Sequence, residues 1–154
     1  MAIMTLVFCA IILTYVDANY RAEWSGLSLA AQSLSLQQLE QARAGVWDYS
    51  ISKNELTNLC LTNWSYNAST RTGTGYSWTT LDLPVSGSNT VSATNYVTVK
   101  MLYVNNQAVT NPPIQLQMVT VDTVWPFTMF GKQRFYTNRT ANFYGPDNRD
   151  DSSL

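Results

Sequence analysis

Residues 1–16, MAIMTLVFCAIILTYV, carry no charged side chain, and the first charges come directly after them as Asp17, Arg21 and Glu23. As a helix this stretch rises about 24 Å, somewhat under the roughly 30 Å hydrocarbon core of a bilayer. Ala18, Tyr20 and Trp24 extend it through the interfacial zone. A secretory signal peptide would place a basic segment ahead of the apolar run, whereas the first Lys or Arg here is Arg21. A helix buried inside a soluble domain needs apolar partners on every side, and the remainder of the chain is too rich in Ser, Thr, Asn and Gln to supply them. The stretch therefore requires lipid or other copies of itself.

The helical pattern continues past the charges. From Trp24 to Trp47 apolar residues recur at Leu27, Ala31, Leu34, at Leu29, Leu36, and at Leu39, Ala42, Val46, with Gln and Ser between them. Spacings of three, four and seven describe an amphipathic helix. Gly45 falls where a C-terminal cap is expected and Gly26 where a bend or local melting is expected. Residues 1–47 thus read as one helix of about 65 to 70 Å, apolar all round in its first third and on one face afterwards.

After Asp48 the period changes to two and β-favouring Thr, Val, Tyr and Trp dominate. Four strands are predicted: 75–85, with Leu81, Leu83 and Val85 on one face; 90–104, with Val91, Ala93, Val97, Val99, Met101 and Tyr103; 114–121, with Ile114, Leu116 and Met118; and about 132–143, with Phe135 to Phe143 alternating with Tyr136 to Asn142. Asn105-Asn106 and Pro112-Pro113 punctuate them. With no helix between them the strands form an antiparallel sheet, and the amphipathic half of the helix covers one face. The fold class is α+β: residues 1–47 as helix, 48–144 as a β-rich domain, and 145–154 as a polar acidic tail. VWPFTMFG, 124–131, reads as an aromatic loop in which Trp125, Phe127 and Phe130 either cap the sheet's core or contact a neighbouring subunit.

Chemistry is narrowly bounded. The 154 residues include no histidine, which removes the commonest general base and metal ligand. Ser has no triad partner and the lysines show no Ser-x-x-Lys spacing, so no enzyme, metal or cofactor is expected. Nine Lys/Arg against ten Asp/Glu, without a basic cluster, argue against nucleic acid. Cys9 and Cys60 cannot pair on this reading: about 57 Å of helix separates Cys9 from its end, and residues 48–60 return at most roughly 45 Å. Both thiols are expected free and buried. Asn63, Asn67 and Asn138 open N-x-Ser/Thr triplets, and 63–77 reads as an accessible polar loop. Three triplets are no more than chance gives in a chain this rich in Asn, Ser and Thr. Asp17 and Arg21 either mark a membrane–water boundary or form a charge pair between subunits of an assembly.

A charge-free apolar helix running without interruption into an amphipathic helix and then an antiparallel β-domain resembles the type IV filament superfamily. That superfamily takes in bacterial type IV pilins and pseudopilins, tight-adherence and TadE-like proteins, and archaeal pilins and archaellins. Ala2 to Phe8, AIMTLVF, is similar to archaellin and archaeal pilin openings, whereas Met1 and Thr5 depart from the phenylalanine-like first residue and fifth-position glutamate of bacterial major pilins. The resemblance implies a subunit stored in the membrane, handled by a prepilin peptidase and pilus assembly machinery, and polymerised into an extracellular homo-oligomeric filament. Its core would be built by Ala2, Ile3, Leu6, Val7, Phe8, Ile11, Ile12, Leu13 and Val16. A membrane-anchored β-domain that never polymerises is the alternative.

Overall fold

The computed structural model describes residues 2–48, 52–81, 90–103 and 115–146. Helix α1, Ala2–Arg43, leads into the two-residue strands β1 (Trp47–Asp48) and β2 (Lys53–Asn54), a 3₁₀ turn at Glu55–Thr57, and five longer strands: β3 (Thr62–Asn67), β4 (Thr72–Leu81), β5 (Val91–Tyr103), β6 (Gln115–Met129) and β7 (Lys132–Tyr144). The last five form one antiparallel sheet in the order β3-β4-β5-β6-β7, and β1 pairs with β2. The architecture is α+β, one long helix on one sheet.

At 42 residues α1 is about 63 Å long. It runs unbroken through Gly26, where the sequence predicts a weak point. It also stops at Arg43 rather than 47: Ala44 N–H closes on Glu40 O and Gly45 N–H on Ala42 O, tightening the final turn. Arg43 places a cation at the negative end of the helix dipole.

Strand β6 shows how the sheet buries one face. Gln117, Val119, Val121, Thr123, Trp125 and Phe127 are buried in strict alternation and face the helix. The sequence expectation of a loop at 124–131 is corrected here, because this alternation carries β6 through Met129. Pro126 falls at one of the alternate positions and sits opposite Phe135 in the β6–β7 ladder. The turn itself is only Phe130-Gly131, with φ of 49° and 71°, the left-handed pair that a two-residue hairpin twisting with its strands demands.

Two further expectations change. The segment 63–77 is not a loop but the β3–β4 hairpin, which makes the strand count of the large sheet five. The hairpin's turn is set by Asn67 Oδ1, which accepts the N–H groups of Ser69 at 2.9 Å and Thr70 at 3.2 Å. Gly73 and Gly75 belong to no loop: they lie under the Trp64 ring, where an added Cβ would stand 2.5 and 2.9 Å from indole carbons. They are strand glycines of close approach. Leu83, Val85, residues 104–114 and the tail from 147 lie outside the described residues.

The core has two parts. Leu39, Ala42, Trp47 and Leu56 pack on Val97, Val99, Val119 and Val121, while Leu27 and Ala31 pack with Leu81, Ala93, Trp125 and Phe127. Buried polar groups lie with them: Thr123 Oγ1 donates to Asn95 Oδ1 at 2.7 Å, and Ser35 Oγ meets Thr140 Oγ1 at 2.7 Å. Leu27, Ala31, Leu39 and Ala42 therefore face inward as their spacing predicts, whereas Leu29 and Leu36 point to solvent on the other side of the helix.

Candidate assembly surface

The helix leaves the sheet at Tyr20. Its ring makes edge contacts with Phe127 at 6.5 Å and Phe130 at 5.1 Å, and Trp24 one turn later packs on Trp125 and Tyr136 at 6.1 and 5.7 Å. From residue 15 back to residue 3 the helix has no protein around it. Ile3, Leu6, Val7, Phe8, Ile11, Ile12 and Leu13 are all more than half exposed, Val16 is half-buried, and Ala2 lies in the helix without a described side-chain environment. The exposed residues occupy every side of the helix, so no single face could be turned inward to hide them. Among the described residues this is the one helix long and apolar enough to cross a membrane. Leu29 at 69% exposure and Leu36 at 49%, seven residues apart, extend the uncovered apolar surface along the docked half.

Asp17 and Arg21 pair with each other, Nε to Oδ2 at 2.9 Å, one helical turn apart within one chain. Asp17 thus has a partner without a neighbouring subunit, and a pair this exposed contributes only about 0–1 kcal/mol.

Of the three triplet asparagines, Asn63 and Asn67 are exposed on the β3–β4 hairpin. Asn63 has φ 51° and its amide reaches Tyr76 Oη at 3.4 Å. Asn138 is different. Its Oδ1 accepts the Trp125 indole N–H at 2.7 Å, and its Nδ2 donates to Ser28 O and Oγ, each at 3.3 Å. The nitrogen that a glycan would occupy is turned into the helix–sheet seam and already donates there, an arrangement that disfavours modification of Asn138 in the folded chain.

Trp125 and Phe127 are core residues, 0% and 5% exposed, and only Phe130 of the expected contact loop stands out, at 61%. Cys9 and Cys60 are free as expected but exposed rather than buried in the single chain, Cys9 because nothing surrounds its helix. Polar contacts along the seam go beyond the sequence reading: Gln32 Nε2 donates to Thr140 Oγ1 at 3.2 Å, Ser77 Oγ to Gln38 Oε1 at 3.1 Å, and Tyr144 Oη to Leu39 O at 2.9 Å. Burial holds the Tyr144 phenol above its ordinary value. The legible signal is Ser28, Gln32 and Ser35 at helical spacing, which places amide and hydroxyl groups along one edge of the buried stripe.

No group of three or more Cys, Asp or Glu side chains that could hold a metal ion occurs among the described residues. No family model, curated protein or solved structure matches the chain.

Proposed function

We propose that this chain is the structural subunit of an extracellular filament of the type IV pilus kind, polymerising through its apolar N-terminal helix. One observation carries the reading: a single unbroken helix is docked on its own sheet from Tyr20 onward and bare on all sides over residues 3–15. Each large apolar side chain left in water forgoes about 1.5–3 kcal/mol relative to burial, so this half is built to be covered by something outside the chain. Before assembly, lipid covers it and the subunit is held in the cytoplasmic membrane; the pilus machinery then extracts it, and neighbouring helices take the place of lipid. Leu29 and Leu36 favour polymerisation over simple anchoring, because they lie beyond the charged boundary at residues 17–23 and a bilayer holding residues 3–16 would not reach them.

The second reading is a membrane-anchored module whose β-domain works outside the cytoplasm as a monomer, favoured by a helix that can span a bilayer alone. Electron microscopy of the sheared surface fraction, with intact mass of its 17 kDa component, separates the two. Uniform fibres containing this chain support the filament. A monomer fully extracted by mild detergent, with no fibres, overturns it in favour of the anchor.

A further inference from the structure

We infer that the cleft beneath the β6–β7 turn holds anionic phospholipid headgroups of the bilayer in which the apolar helix is stored. The inference rests on the membrane-stored stage of the proposed function and not on polymerisation.

Phe127, Met129, Phe130, Lys132, Arg134 and Tyr136 line a cleft of about 290 Å³, which borders the helix at Tyr20. Strand β7 runs alongside the helix in the same direction, with Trp24 beside Tyr136, Ser28 beside Asn138, and Ser35 beside Thr140. Four helix residues rise about 6 Å and two strand residues about 6.8 Å, so the same pairing continued toward the N-terminus puts Arg134 level with Tyr20 and Lys132 level with Val16. These levels span the end of the charge-free stretch at Val16 and the charged residues that follow it. When residues 3–16 lie in hydrocarbon, Arg134 lies among headgroups and Lys132 at their boundary with the hydrocarbon, where its flexible stem lets the ammonium reach phosphate.

The charges suit that position. Lys132 and Arg134 form no ion pair among the described residues, and the carboxylate at their level, Asp17, is taken by Arg21. Glu23 lines an adjoining cleft with Leu27, Val91 and Gln133, on the other side of Phe127, which borders both. The cleft and its border with the adjoining one therefore carry Arg21, Lys132 and Arg134 against Asp17 and Glu23, still an excess of positive charge, beside exposed Phe130 and the rings of Tyr20, Phe127 and Tyr136. Cations for phosphate and aromatic rings for the interfacial zone are what a membrane surface selects. An acidic peptide would meet the cations but leave Phe130 in water. The chain's own acidic residues 147–151 reach at most about 18 Å past Pro146, while Arg134 lies about 34 Å back along β7 from Tyr144.

The test uses the full chain in nanodiscs of equal phosphatidylcholine and phosphatidylglycerol, with lipids retained on release counted by native mass spectrometry. Phosphatidylglycerol should be retained preferentially, on the order of fivefold per cation. Lys132→Gln with Arg134→Gln should bring retention to parity, and Lys132→Arg with Arg134→Lys should keep the preference. Amide exchange of unmodified chain at residues 129–134, slower in phosphatidylglycerol discs than in pure phosphatidylcholine discs, gives the same answer without a variant. A chain that enters the discs but shows neither preference nor protection overturns the site alone, as does a preference that survives the Gln substitutions. A chain that enters neither disc overturns the membrane-stored stage, and this inference with it.

Discussion

Trp125 donates its indole N–H to Asn138 Oδ1 at 2.7 Å across neighbouring strands, in a residue with no exposed surface, while the other end of the same amide reaches Ser28 on the helix. One side chain therefore ties β6, β7 and α1 together. Asn138→Ala leaves a buried indole donor without a partner and should cost about 1–3 kcal/mol, read as a lowered denaturation midpoint in detergent. The same geometry predicts that site mapping by glycopeptide mass spectrometry finds no glycan at Asn138 in a glycosylating host, whatever happens at Asn63 and Asn67.

Trp64 covers two glycines while its indole donates to Thr57 O at 2.9 Å. Gly73→Ala places a methyl group inside the ring's volume and should cost about 1–3 kcal/mol by overpacking. The indole must shift off Thr57, so a change in tryptophan fluorescence should accompany the loss of stability. An unchanged melting curve would contradict the close approach.

Leu29 and Leu36 lie on the uncovered side of the helix, outside both parts of the core. Leu29→Ser with Leu36→Ser should leave monomer stability within about 0.5 kcal/mol, and the filament reading predicts a clear fall in fibre yield from the same variant. Wild-type yield in the shearing assay would exclude this face from the assembly.

Asp17 already pairs within its own helix. Asp17→Asn should leave membrane insertion and subunit stability nearly unchanged. If the pair is enclosed by neighbouring helices in the polymer, the unpartnered Arg21 becomes costly and fibre yield falls, so equal yield would confine the pair to the role of a boundary marker.

Glu55 fastens the small β1–β2 sheet to the helix end. Its carboxylate accepts from Lys53 Nζ and from Val46 N–H, each at 2.8 Å. The Lys53 hydrogen bond first, then the Val46 backbone N–H, hold its pKa below the ordinary 4.5. A depressed folded value gives stability that is present above the unfolded value and lost as pH falls through the folded one. The Val46 amide should therefore exchange faster as pH falls below about 4.5 after correction for intrinsic rates, and Glu55→Gln should abolish that pH dependence.

The sequence by itself determined the long helix, its bare apolar end and the antiparallel character of the β-domain, because these depend on local periodicity and on the absence of charge from residues 1–16. It did not distinguish Leu27 and Leu39, which meet the sheet, from Leu29 and Leu36, which do not; a wide stripe of leucines leaves the contact arc open until a sheet of definite width is laid against it. Trp125 and Phe127 lie in an aromatic run whose alternation Pro126 hides, and only pairing with β7 makes it strand. Gly73 and Gly75 carry the mark of a loop unless Trp64 is known to lie over them. Asn138 matches a glycan acceptor in a three-residue window, while in the fold its amide is held by a residue more than a hundred positions away, Ser28. Tertiary structure made each of these decisions for the same reason: burial and hydrogen-bond partnership depend on which distant segments a side chain meets, whereas periodicity and charge depend only on its neighbours in the chain.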